Sequence, residues 1–112
     1  MSNQSTLRDS FISEISKAEA ARAAGNEGKA RVCARRAAGI IIRAYLAQRG
    51  IQSKTPSAYD VLRHLEGLGD VSEEIRQKAR HFLLKVDENY QLPVDADLIK
   101  EARWLASRLM GL

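Results

Sequence analysis

A chain of 112 residues, 45% hydrophobic and 29% charged, has the size and balance of one globular domain that buries its core without disulfides or metal. Its formal charge of +4 and pI near 9.5 permit an anionic partner without requiring one. The lone Cys33 excludes a disulfide framework and a cysteine-rich zinc site. No apolar run approaches the ~20 residues of a membrane span, and MSNQSTLRDSF lacks a secretory pattern, so a cytoplasmic, membrane-free protein is expected.

Six residues are expected to form an unstructured N-terminus. Thr6 and Asp9 then offer a capping box, and the spacing of Leu7, Phe11, Ile15 and Ala18 predicts a helix over 7–24, stopped by Gly25. Asn26 can cap a second and longest helix, which Gly50 ends. Its broad apolar face carries Ala30, Cys33, Ala34, Ala37, Ile40, Ile41, Ala44 and Tyr45, small enough to let neighbouring backbones approach.

GIQSKTPSAYD reads as a loop into a short helix capped by Thr55 or Ser57, with Pro56 in its first turn and Val61, Leu62, Leu65 and Leu68 facing inward. After GLGD, Asp70 and Glu73 offer another capping box. Ile75, Ala79, Phe82, Leu83, Val86 and Tyr90 mark the buried face of a fourth helix reaching Asn89 or Tyr90. Asp95 can cap a fifth, with Leu98, Ala102, Leu105, Ala106 and Leu109 inward. The expected fold is all-α, a single domain forming an antiparallel bundle of about five helices.

The basic, Ala-rich ARRAAGIIIRAYLAQRG, the helix start marked by Lys54, Thr55, Tyr59 and Asp60, and the exit marked by Asp87, Tyr90 and Pro93 follow one another in an order that resembles the small stand-alone HEPN-domain proteins of prokaryotes. The resemblance covers nearly the whole chain. Tyr59 replaces a histidine often found at that helix start, and Val94 and Asp95 stand where an Arg-Tyr-Pro sequence frequently follows the exit. The resemblance implies a HEPN-like helical domain that dimerises and works beside a minimal nucleotidyltransferase, in some cases as the toxin of a toxin–antitoxin pair. Other members are metal-independent ribonucleases with an Arg-x4-6-His motif.

Arg76 and His81 fit that motif in RQKARH and are the candidate catalytic pair. A histidine can move the proton of an attacking 2′-hydroxyl, and an arginine can stabilise charge on the phosphate. On a straight helix the two side chains are rotated about 140° apart, so one copy does not aim both at one phosphate. Arg31, Arg35 and Arg49 on one flank of the second helix, and Lys29, Arg36 and Arg43 on the other, form candidate basic surfaces or the solvated borders of that helix. Neither His64 nor His81 has a partner at metal-ligand spacing, and no phosphate loop or nucleophile elbow is present, so no metal or cofactor is expected. Leu84 and Trp104, placed outside the buried faces, are the candidate homodimer interface.

Three functions follow as expectations. The first is a non-catalytic, nucleotide-associated interaction module, dimeric and paired with a partner such as a nucleotidyltransferase. The second is a ribonuclease that uses Arg76 and His81 on RNA, and the third a structural bundle with no nucleotide or RNA ligand.

Overall fold

The computed structural model describes residues 3–86 and 91–112, and these are all-α: α1 Asn3–Ala23, α2 Glu27–Gln48, α3 Ala58–Glu66, α4 Glu73–His81 and α5 Leu98–Met110. Helix α1 begins four residues before the predicted start at Leu7, so Thr6 lies inside it and caps nothing. At its far end Gly25 adopts a φ of 79°, and the N–H groups of Gly25 and Asn26 reach back to the carbonyls of Arg22 and Ala21. This closure frees the chain to reverse into α2, where Asn26 Oδ1 accepts from the Lys29 N–H at 3.1 Å.

Helix α2 is the central element and packs against α1, α3 and α5. Ala30, Cys33, Ala34, Ala37, Ala38, Ile41, Ile42 and Leu46 are buried on it, against Phe11, Ile15 and Ala18 of α1 and Leu98, Ala102, Leu105 and Ala106 of α5 in one core. Alanines at the contacts bring the helix backbones together, as the sequence predicts. Gly39 extends that logic to α3: a Cβ there would stand 2.7 Å from the Ala58 Cβ, so only glycine permits the observed approach. Ser57 caps α3 through the Asp60 N–H, while Thr55 accepts from the Ser57 N–H and donates to Asp60. Pro56 therefore lies just before the cap, not in the first turn.

Three expectations are corrected on the second half of the chain. Ser72, not Asp70, caps α4 through the Ile75 N–H at 3.2 Å, and Asp70 instead pairs with Arg49 at the end of α2. Asp97, not Asp95, caps α5 through the Lys100 N–H. Helix α4 also ends at His81 rather than near Asn89 or Tyr90. The N–H groups of Phe82 and Leu83 turn back to the carbonyls of Ala79 and Arg80, and Arg35 Nε takes the Phe82 carbonyl at 3.0 Å. That carbonyl is the acceptor a longer helix would offer to the Val86 N–H. Phe82 is fully buried at this stop, whereas Val86, predicted on the buried face, is 41% exposed. Asn89, Tyr90 and Asp87 lie outside the described residues.

Candidate functional site

Arg76 and His81 occupy one helix but serve different partners. Arg76 Nη2 donates to Glu73 Oε2 at 2.7 Å and Nη1 to the Leu68 carbonyl at 3.3 Å, which ties α4 to the turn after α3. His81, the last residue of α4, places Nδ1 at 2.8 and 3.0 Å from the two carboxylate oxygens of Glu101 on α5. His81 is not among the residues expected on the buried face of the fourth helix. It is instead largely covered, with 19% of its side-chain surface exposed.

Glu101 is the buried charged residue of the described core, which corrects the sequence expectation that sets it beside Trp104 outside the buried face of the fifth helix. A buried carboxylate persists where partners replace its hydration. Here His81 supplies one, and Lys78 Nζ at 3.5 Å supplies a second. The signal was present in the helix register: Glu101 follows Leu98 by three residues and precedes Leu105 by four, on the inward face. Trp104 lies one turn further along, half-buried, with the Lys78 ammonium 5.8 Å and the Arg108 guanidinium 4.9 Å from its ring centre. Lys78, Asp95, Asp97, Lys100, Glu101 and Trp104 border a hollow of about 300 Å³ there.

The other predicted interface residue, Leu84, lies beyond the end of α4. It is half-buried and lines a different recess of about 540 Å³ with Val32, Tyr59 and Val86. Leu84 and Trp104 therefore belong to separate features.

The arginines of α2 are brought together more closely than their two predicted flanks suggested. Arg35, Arg36 and Arg43 all line one cleft of about 530 Å³, whose walls are α2, Glu14 of α1 and the start of α3 at Ser57, Ala58 and Tyr59. Close packing at Gly39 sets the α3 wall against the arginines. Arg43 Nη2 donates to the Thr55 carbonyl at 2.9 Å, which holds the loop before α3. Burial draws the Arg35 guanidinium below its usual pKa, opposed by the nearby Tyr59 ring. Arg36 is exposed and makes no ion pair or hydrogen bond among the described residues. Glu14 Oε2 is buried in the protein without a hydrogen-bond partner. Arg31 borders the recess beside Leu84, whereas Arg49 is drawn off to Asp70.

Comparison with family models, with curated proteins and with solved structures finds no match for this chain. Among the described residues no group of three or more His, Cys, Asp or Glu side chains is placed to hold a metal ion, and no helix is long and apolar enough to cross a membrane.

Proposed function

We propose that this chain is a non-catalytic helical interaction module, working by docking a partner rather than by turning over a substrate. One observation carries the reading. The side chains that could do chemistry, Arg76 and His81, are each engaged in holding α4 to its neighbours, while the α2 arginines border an open cleft. The resemblance to HEPN-domain proteins supports a minimal nucleotidyltransferase as the class of partner and a cytoplasmic setting. It also supports a homodimer, for which the half-buried Trp104 and Leu84 are the anchors to test.

The test pairs an RNA assay with an association assay. Single-stranded RNA incubated with the purified chain and a chelator is expected to remain intact, without 2′,3′-cyclic phosphate ends. Light scattering of the chain with a minimal nucleotidyltransferase encoded beside it is expected to show a complex. Metal-independent cleavage lost on His81→Ala would overturn the reading in favour of a ribonuclease. No complex and no cleavage would favour a structural bundle.

The arginine cleft also favours a second reading, in which it holds the phosphates of a nucleotide. Arg36 supplies an uncommitted charge, and the N-terminal turn of α3 stands in the same wall. Calorimetric titration with a nucleoside triphosphate, before and after Arg36→Ala, tests it.

A further inference from the structure

The cleft at Arg36 is one stretch of a longer feature. At one end it shares Val32, Arg35 and Tyr59 with the recess beside Leu84. At the other it shares Ile40 with a groove of about 620 Å³ between α1 and α2, which runs past Ala44 and Ala47 to Met110 of α5. The cleft and the groove together form one channel along α2 from Val32 to Gln48, roughly 24 Å at the rise of an α-helix, and the recess beside Leu84 continues the line back to Gly28.

Its two ends differ in chemistry. The stretch from Val32 to Arg43 is basic and apolar together: Arg35, Arg36 and Arg43 stand beside Val32 and Tyr59, which are 41% and 38% exposed. Glu14 is the carboxylate of that wall. The stretch from Ala44 to Gln48 is uncharged, with the small side chains of Ala44, Ala47, Thr6 and Ser10 flanked by the aliphatic Leu7, Ile40 and Met110. Small residues permit a helix to approach to the 8–10 Å of ordinary helix packing. A free phosphate needs only the basic end and leaves the other unexplained.

We propose that this channel seats an amphipathic helix of a partner protein, with carboxylates at the end that meets Arg35, Arg36 and Arg43 and small or aliphatic side chains at the end over Ala44 and Ala47. Helix-in-groove recognition takes this form, the apolar stripe supplying burial and the charges fixing direction. Charge decides between this occupant and a second copy of the chain. Two copies face to face would place both arginine sets in one interface with one Glu14 from each in opposition, whereas a helix with an acidic end neutralises them. The inference rests on the interaction-module reading and names the chemistry of the partner.

The probe is a fluorescent helical peptide of roughly 17 residues, the span of the channel, with alanines and leucines on one face and glutamates at one end. Fluorescence anisotropy with the full chain is expected to show binding that falls at least ~10-fold when lysines replace the glutamates, or on Arg36→Glu, as for a lost interfacial charge pair. Ala47→Trp, which fills the uncharged end, is expected to weaken it as much. Both positions are exposed, and circular dichroism checks that the variants fold.

Absence of binding, or equal binding of the acidic and basic peptides, would overturn the proposal. So would binding abolished by inorganic phosphate but indifferent to Ala47→Trp, which marks an anion site, and a two-chain mass that Ala47→Trp reduces to one. If a nucleotidyltransferase binds and its binding responds to Trp104→Ala but to neither groove variant, the module reading stands and the groove inference falls. Metal-independent RNA cleavage would remove the module reading itself.

Discussion

Where α2 meets α1 and α5, the contact is made of fully buried alanines, among them Ala18, Ala30, Ala34, Ala37 and Ala102, with Ile41, Ile42 and Leu105 filling between them. Where α4 meets its neighbours, Ala79 is the buried residue of the helix itself, and Phe82 follows immediately after it. Charges supply much of the remainder: Arg76 to the Leu68 carbonyl, Arg80 to Glu66, His81 and Lys78 to Glu101, and Arg35 to the Phe82 carbonyl. A short helix with a thin apolar face is thus held by polar tethers. Histidines and arginines that suggest chemistry in a sequence can be such tethers.

The largest expected effect tests how far that half depends on Phe82, its largest fully buried side chain among the described residues. Phe82→Ala is expected to cost ~3–5 kcal/mol, the usual loss for a buried phenylalanine, measured by urea unfolding. Native-state hydrogen exchange is expected to lose protection first in α4 while α2 keeps it. Equal exchange free energies in α2 and α4 would erase the contrast between the two regions.

A smaller loss separates a tether from a catalytic group. His81→Ala leaves the Glu101 carboxylate buried with Lys78 alone, and a cost of about 1–3 kcal/mol is expected for a hydrogen bond to a buried charge. Glu101→Gln removes the charge that His81 satisfies, so the double variant is expected to be more stable than the summed single losses predict. Unchanged stability in His81→Ala would mean that the bond to Glu101 holds nothing, and would return His81 to the list of residues to test for chemistry.

The same contrast explains what the sequence revealed. Apolar spacing located α1, α2 and α5 because those faces are long and regular, and Gly25 and Gly50 stop the first two where left-handed backbone is needed. On α2, however, the expected Ile40, Ala44 and Tyr45 are only half-buried, and Ala38, Ile42 and Leu46 fill the core beside the rest of the set. The end of α4 was hidden. Apolar residues continue in helical register through Phe82, Leu83 and Val86, and no glycine or proline marks the stop. An arginine 47 residues earlier in the chain takes the carbonyl there. Caps were misplaced by two residues at Asp70 and Asp95 because the local rule accepts several neighbours, and Arg49 competes for Asp70. The arginine cleft was legible as residue types but not as a cleft, since the wall that completes it depends on the tertiary contact of Gly39 with Ala58.

The smallest expected effect concerns a polar clasp on the alanine-packed side, where Arg103 of α5 also pairs with Glu19 of α1. Arg22, in the last turn of α1, donates from Nε and Nη2 to the two oxygens of Glu27 at 3.0 and 2.8 Å, and from Nη1 to Asp97 at 3.0 Å. It thereby joins the first residue of α2 to the cap of α5. The hydrogen bond from Arg22 holds the Glu27 carboxyl below its ordinary range. Burial pushes Asp97 the other way, but the Lys100 N–H and Arg22 outweigh it and leave Asp97 low as well. A carboxyl whose pKa is depressed by folding adds stability above its unfolded pKa of about 4 and loses it as pH falls through the lower folded value. The clasp is partly exposed, with 37% of the Arg22 side-chain surface open, so screening limits its worth. Arg22→Gln is therefore expected to cost only about 0.5–1 kcal/mol at neutral pH, and this gap is expected to close as pH falls toward ~2. Thermal melts of parent and variant at the two pH values measure it. A gap that stays constant would show that Arg22 acts by packing its stem rather than by holding the two carboxylates.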